Sequence, residues 1–184
     1  ETVLPPIFAK FGKYNTASTA PFRRIPYLEA MEKYGTDKPD LRIDLTAQDL
    51  TRLLSGCGFP PFENQRVKAV VVYGFEGSRK QIDKLCADVE VQTGNKVYWF
   101  RYDEKGELVG GISKFLQPIK DLVVEALTLA PGCLVGLSAG TLLAAQKTAG
   151  VFIKTVAPLC PAHFVKEPYE FCWIVDFPMY EIGE

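Results

Sequence analysis

Three cations near the start of one predicted helix carry the most pointed chemistry in this chain. Arg79 and Lys80 fall in the first turn of a segment opened by a Ser-x-x-Gln capping box at Ser78, and Lys84 stands one turn beyond Lys80. A helix dipole disfavours cations at that end by a few tenths to about 1 kcal/mol each, which an anion would offset. Free N–H groups at the helix end, with the flexible Gly74 and Gly77 before it, complete a candidate phosphate site. A second reading needs no ligand. Arg79 pairs with Asp83 at i,i+4, and the other cations are simply solvated.

A second charged set lies in the turn from Thr36 to Arg42, where Asp37, Lys38, Asp40 and Arg42 surround Pro39. Carboxylates in such a turn accept backbone N–H groups. Lys38 can pair with either aspartate, and Arg42 with Asp44 or a neighbour. The rest of the chain offers little catalytic hardware. His163 is the one histidine, with no Cys, Asp or Ser at a spacing that suggests a triad or metal site, and no metal ligand set is expected. Five cysteines, Cys57, Cys86, Cys133, Cys160 and Cys172, form no CxxC pair. An odd count without that spacing fits buried small hydrophobes in a reducing compartment, not a disulfide framework. Tyr98, Trp99, Phe100 and Tyr102 admit a base-stacking surface, but alternating aromatics on a strand more often divide between core and rim.

The elements that position these groups follow from periodicity. Residues 1 to 26, rich in Pro, Ala, Ser and Thr around Asn15 to Pro21, read as a loop or loosely attached leader. Pro26 suits a helix start, Leu28, Met31 and Tyr34 recur at helical spacing, and Gly35 caps the helix over 27–35. Thr46 and Asp49 have cap spacing for a short helix bearing Leu50, Leu53 and Leu54, stopped by Gly56. Strands are predicted at Val67–Tyr73, Val97–Tyr102 and Cys133–Leu137. Helices are predicted at Ser78–Gly94, Pro118–Leu129 and Thr141 to about Val156, the last tolerating Gly150 at about 1 kcal/mol. Asp103–Gly106 is a hairpin-like turn from which Glu107–Ile112 pairs back. Phe171–Glu181 reads as a strand with a Pro-punctuated exit. The expected fold class is α+β: two layers, a small mixed or antiparallel sheet with helices on one face.

With 184 residues, 47% hydrophobic and 23% charged, the chain can bury one ordinary core. A net charge of -1 and pI near 6.0 exclude a surface built throughout for nucleic acid, so any RNA contact is local. No stretch approaches the roughly 18 apolar residues of a membrane span, and Glu1 opens the chain without a basic-then-apolar leader. The expected setting is soluble and cytoplasmic, with no membrane partner.

Two pieces of sequence resemble bacterial-type aspartyl-tRNA synthetase. The first runs through Pro26-Tyr27, Glu29-Ala30-Met31, Tyr34-Gly35 and Asp37-Lys38-Pro39-Asp40-Leu41-Arg42; the second is Trp173 with Asp176-Phe177-Pro178-Met179. Thr36 stands where the family usually has Ser, keeping the hydroxyl. Between them, Arg79-Lys80-Gln81-Ile82-Asp83 and Lys114-Phe115-Leu116 resemble the GAD insertion module, which those enzymes share with tRNA-dependent amidotransferase subunits. The resemblance implies an N-terminal arm of a class II catalytic domain over 1–44, a GAD-like insertion over 45–165, and a returning strand over 166–184. It implies ATP-dependent formation of aspartyl-adenylate and transfer to tRNA, with ATP and Mg2+ serving the full enzyme and no cofactor in this segment.

The Arg-bearing class II motifs are not present, so this segment is expected to be catalytically silent, with no catalytic residue assigned. Its expected partners are tRNA, weakly if at all, through phosphate contacts of Arg79, Lys80 and Lys84, and the rest of the catalytic domain. Asp37, Lys38, Asp40, Arg42 and Asp176 are family-motif positions without an assigned role, although Lys38 or Arg42 is placed to orient the catalytic domain against tRNA or the insertion. The fragment is expected to be a monomer with an exposed apolar strand at Cys172–Phe177, and the full enzyme a homodimer. Two alternatives remain: the GAD module of an amidotransferase subunit, disfavoured by the flanking motifs, and a structural spacer with no RNA contact.

Overall fold

A computed structural model describes residues 1–14, 17–164 and 169–180. The chain opens with helix α1 (Leu4–Phe11), then strand β1 (Arg23–Pro26), which runs directly into α2 (Tyr27–Tyr34). There follow β2 (Ala47–Asp49), α3 (Thr51–Leu54), β3 (Arg66–Val72), α4 (Arg79–Thr93), β4 (Val97–Tyr102) and β5 (Leu108–Val109). The rest comprises α5 (Ser113–Leu116), α6 (Lys120–Leu127), β6 (Cys133–Gly140), α7 (Leu142–Val156) and β7 (Cys172–Val175).

Five strands make one sheet in the order β2-β3-β6-β4-β5, every neighbouring pair antiparallel. The α+β expectation holds. Strand β3 reads as a nearly unbroken apolar run because both of its faces are covered. Val70 and Val72 point to the face packed by the long helices α4 and α7, through Ile82, Leu85, Ala149 and Phe152. The expectation of helices on one face describes these two. The opposite face is covered as well, because Val67, Ala69 and Val71 are equally apolar. Short pieces close it: Leu54 of α3, Phe62, Leu116 of α5, and Val123 and Leu127 of α6.

A separate two-stranded sheet lies apart in sequence. β1 pairs with β7 in parallel, Arg23 beside Cys172 through Pro26 beside Val175. The chain therefore leaves the small sheet after β1 and returns to it at β7, with the five-stranded body, β2 to α7, in between. The described residues before β1 are more ordered than their composition suggests. Phe8 of α1 packs edge-on against Tyr169 and Phe171 at 4.9 and 5.1 Å, and the Phe171 N–H donates to Ser18 Oγ at 2.8 Å. Aromatic burial holds this segment, a contact between residues too far apart in sequence for local pattern to reveal. Asn15 and Thr16, within the expected loop, lie outside the described residues.

Two local expectations need correction. The helix expected from Thr46 begins only at Thr51, since Ala47–Asp49 takes up pairing with Lys68–Val70. Leu50 holds the N-cap position, and Asp49 before it accepts the Thr51 N–H on Oδ1 at 2.8 Å in a local side-chain turn. In α2 the buried residues are Ala30 and Met31, while Leu28 points to solvent. The inner face is set by docking onto α7, which the small Ala30 permits.

Candidate functional site

The α4 cations sit on a well-capped helix. The Ser78 N–H donates to Gln81 Oε1 at 2.7 Å, and Gly94 ends the helix in the left-handed conformation at φ +69°. The loop before it is pinned from the sheet: the Arg101 guanidinium donates to the carbonyls of Phe75, at 3.1 Å, and Gly77, and lies 5.7 Å over the Phe75 ring. Arg79 Nε lies 3.8 Å from Asp83 Oδ2, and Lys84 Nζ lies 2.6 Å from Asp88 Oδ2. Lys80 is exposed and has no ion-pair partner among the described residues. Asp83 also accepts the Trp99 indole N–H at 3.0 Å.

These cations do not converge on one point. Lys84 lines a groove of about 740 Å³ together with Phe75, Leu85, Asp88, Leu159 and Pro161, at which Gly74 and Gly77 also lie; Arg79 and Lys80 stand outside it. Such exposed i,i+4 pairs are worth roughly 0.3–0.5 kcal/mol, so a phosphate can exchange with the aspartates at little cost. Proton transfer and nucleophilic attack are poorly served here. Burial pushes the Cys86 thiol up to about 12, with Asp83 adding to the shift, so it stays protonated at neutral pH.

The turn after α2 is closed upon itself. Arg42 grips Asp40 with Nε to Oδ1 at 2.7 Å and a terminal nitrogen to Oδ2 at 2.6 Å, and its N–H reaches Oδ1 at 3.1 Å. That bond holds the Asp40 carboxyl below its ordinary range against the upward push of burial, while Asp40 raises Arg42. Lys38 pairs with Asp37 at 2.7 Å, and its N–H donates to Thr36 Oγ1 at 3.1 Å. Asp176 lies just beyond β7, exposed, at φ +58°. It is remote in sequence from that turn but close to α2, since the neighbouring Phe177 ring lies 5.0 Å from Tyr27.

One polar group went unremarked in the sequence. Lys68, in the middle of β3, is fully buried, and its ammonium reaches Glu32 Oε1 of α2 and Asp49 Oδ2, the latter at 3.1 Å. Gln146 of α7 donates to the other Glu32 oxygen at 2.9 Å. Burial pushes the Asp49 carboxyl up, but hydrogen bonds from Thr51 and Lys68 outweigh it and leave it lowered. The available signal was a charge inside the run Arg66–Val72, on the same face as Val70 and Val72. A lysine there needs carboxylates brought by other elements.

The aromatics of β4 resolve to packing: Trp99 and Phe100 are buried, and Tyr98 meets Phe59 and Phe62 edge-on. His163 is also buried, its Nε2 3.0 Å from the Tyr73 backbone N–H, which ties the chain after α7 to the end of β3. No helix among the described residues is long and apolar enough to cross a membrane.

An antiparallel sheet body held between a strand-helix arm and a returning strand is matched by a family model. The chain belongs to the class II tRNA synthetase family of the D, K and N group, whose model covers residues 1–182. It is 38% identical to the aspartate–tRNA ligase of Streptomyces coelicolor over 187 residues, which take in all of this chain and 31% of that protein. The aspartate–tRNA ligase of Streptomyces griseus is 39% identical over 188 residues, with the same shares. That of Streptococcus pneumoniae is 40% identical over 170, covering 90% of this chain and 28% of the relative. The chain thus spans about a third of the length of the relatives it matches.

Proposed function

We propose that this chain is a segment of an aspartate–tRNA ligase, in which residues 45–165 form an auxiliary insertion module carried by a catalytic-domain arm, 1–44, and a returning strand, 166–184. The observation that carries this reading is the parallel register of β1 with β7. It joins residues separated by the whole sheet body, the geometry of a module inserted between two neighbouring strands of a host sheet. Exposed apolar groups on those arms, Leu28, Trp173 and Phe177, fit a surface that the rest of the host domain covers.

In the ligase reaction the aspartate carboxylate attacks the α-phosphorus of ATP and expels pyrophosphate to give the adenylate, and the terminal ribose hydroxyl of tRNA then takes the aspartyl group and releases AMP. Clamping the phosphates calls for free arginines and carboxylates around Mg2+. The charged groups of this chain's family motif support a structural part: Arg42 grips Asp40 through two side-chain hydrogen bonds, and Lys38 meets Asp37 at 2.7 Å. No chemical step is placed on this chain. The module's part is positioning, through weak contacts of Arg79, Lys80 and Lys84 with tRNA phosphates in the cytoplasm.

A second reading, a spacer without RNA contact, is favoured by the aspartates that already partner Arg79 and Lys84. Titration of the chain with tRNA for Asp separates them. The positioning reading expects saturable binding that weakens with salt and is lost in the Arg79→Glu, Lys80→Glu double variant. Absence of binding at low salt leaves the spacer. An aspartate-dependent ATP–pyrophosphate exchange assay on the same chain is expected to read zero, and turnover there would overturn the auxiliary role altogether.

A further inference from the structure

We propose that Lys68, Glu32, Asp49 and Gln146 form a releasable lock that fixes α2, and with it the β1–β7 pair, against the five-stranded sheet. The lock is a property of this chain whatever reaction it serves.

Lys68 is the one buried lysine among the described residues, and its side chain has no exposed surface. Its two carboxylate partners belong to different pieces. Asp49 is on β2, within the same sheet, whereas Glu32 is on α2. Glu32 is shared in turn with Gln146 of α7, so one carboxylate ties the arm to a strand and to a helix of the body. The chain just past α2 adds to the tie: Ile43 is buried in the core beside α4 and α7 and bridges Phe164, and the Asp44 N–H donates to the His163 carbonyl at 2.7 Å. The buried side chains of α2 are those of Ala30 and Met31, and a close approach of backbones at its C-terminal end completes the contact.

The asymmetry of burial makes the lock releasable. Glu32 and Asp49 keep 45% and 36% of their side-chain surface exposed. If α2 lifts, Glu32 gains water, and Lys68 remains compensated by Asp49 without leaving the sheet. A buried ammonium left wholly unpaired would forbid such a state. With the second carboxylate in place, α2 can open locally while the body stays folded.

Hydrogen exchange on the 184-residue chain, read by mass spectrometry, tests this. In Lys68→Met, which keeps the volume of the stem and removes the charge, amides of α2 are expected to exchange about tenfold faster or more, with β3, β4 and β6 keeping their protection. Glu32→Gln moves α2 in the same direction, and the double variant goes no further than Lys68→Met alone. Glu29→Gln, on the same helix but paired at the surface with Lys33 and Arg23, moves α2 by no more than about twofold. Three results would overturn the lock: α2 unmoved in both single variants, α2 and the central strands accelerating together, or effects that add in the double variant. Should Lys68→Met not fold, Glu32→Gln against Glu29→Gln decides between the same outcomes.

Discussion

Phe100 and Phe152, on opposite faces of the sheet, are 0% and 1% exposed, while Trp173 and Phe177, at the returning strand, are 45% and 53% exposed. The body closes over its sheet on both faces. The arm sheet has two strands only, and an isolated pair of strands is marginal in water without a partner to pack against. Its supports are the ring cluster of Phe8, Tyr169 and Phe171, which belongs to the same two arms, and the contact of α2 with α7. Density of side-chain packing thus distinguishes the two regions: the five-stranded sheet is enclosed on both faces, whereas the two-stranded one leaves Trp173 and Phe177 exposed.

Removing one aromatic from each region gives the largest expected difference. Phe100→Ala is expected to cost about 3–5 kcal/mol, since the ring is enclosed on every side. Trp173→Ala should cost less than about 1 kcal/mol, its removal opening no cavity. Urea denaturation followed by far-ultraviolet circular dichroism measures both, and equal losses would show that the arm is as integral as the body.

The seam between the regions gives a smaller effect of unusual sign. Gly150, in the middle of α7, faces the end of α2, and a Cβ there would lie 2.5 Å from the Tyr34 carbonyl oxygen. On an open helix Gly→Ala gains about 0.5–1 kcal/mol. At this seam Gly150→Ala is expected to lose about 1–3 kcal/mol in the same urea experiment, because the backbone of α2 must move away. Gly35 answers it across the seam: its left-handed φ of +65° ends α2, and its own Cβ would strike the Gln146 carbonyl. A stabilised Gly150→Ala would mean that the seam is loose.

That seam shows how far the sequence alone can be read. Gly35 was legible as a helix cap because the demand is local, and the capping box at Ser78 and the strand Val97–Tyr102 were legible for the same reason. Gly150 reads as a modest defect until the partner helix is known. Lys68 reads as an interruption in a strand until Glu32, 36 residues earlier, is placed against it. The packing of residues 1–26 was hidden because its anchor, Tyr169 and Phe171, lies at the far end of the chain. Of the candidate site, the pairing of Arg79 with Asp83 was readable from i,i+4 spacing, whereas the groove beside Lys84 depends on how α4 meets the chain after α7.

The smallest effect sharpens the boundary on the arm side. Arg42 holds the Asp40 carboxyl below its ordinary range, with burial acting the other way and Lys154 adding a weaker pull downward. A carboxylate whose folded value is depressed contributes stability that is fully present above the unfolded value, about 3.9, and lost as pH falls through the folded one. Both side chains remain more than a third exposed, so solvent screening limits the pair to under about 1 kcal/mol. The urea midpoints of the parent chain and Asp40→Asn should therefore differ by a small constant amount from pH 7 to about 5, and converge below about pH 4. Added salt should narrow the gap at neutral pH. A difference that does not shrink at all between pH 5 and pH 2 would assign the role of Asp40 to shape and hydrogen bonding within the turn, since Asn keeps the acceptor that meets the Arg42 N–H but not the charge that grips its guanidinium.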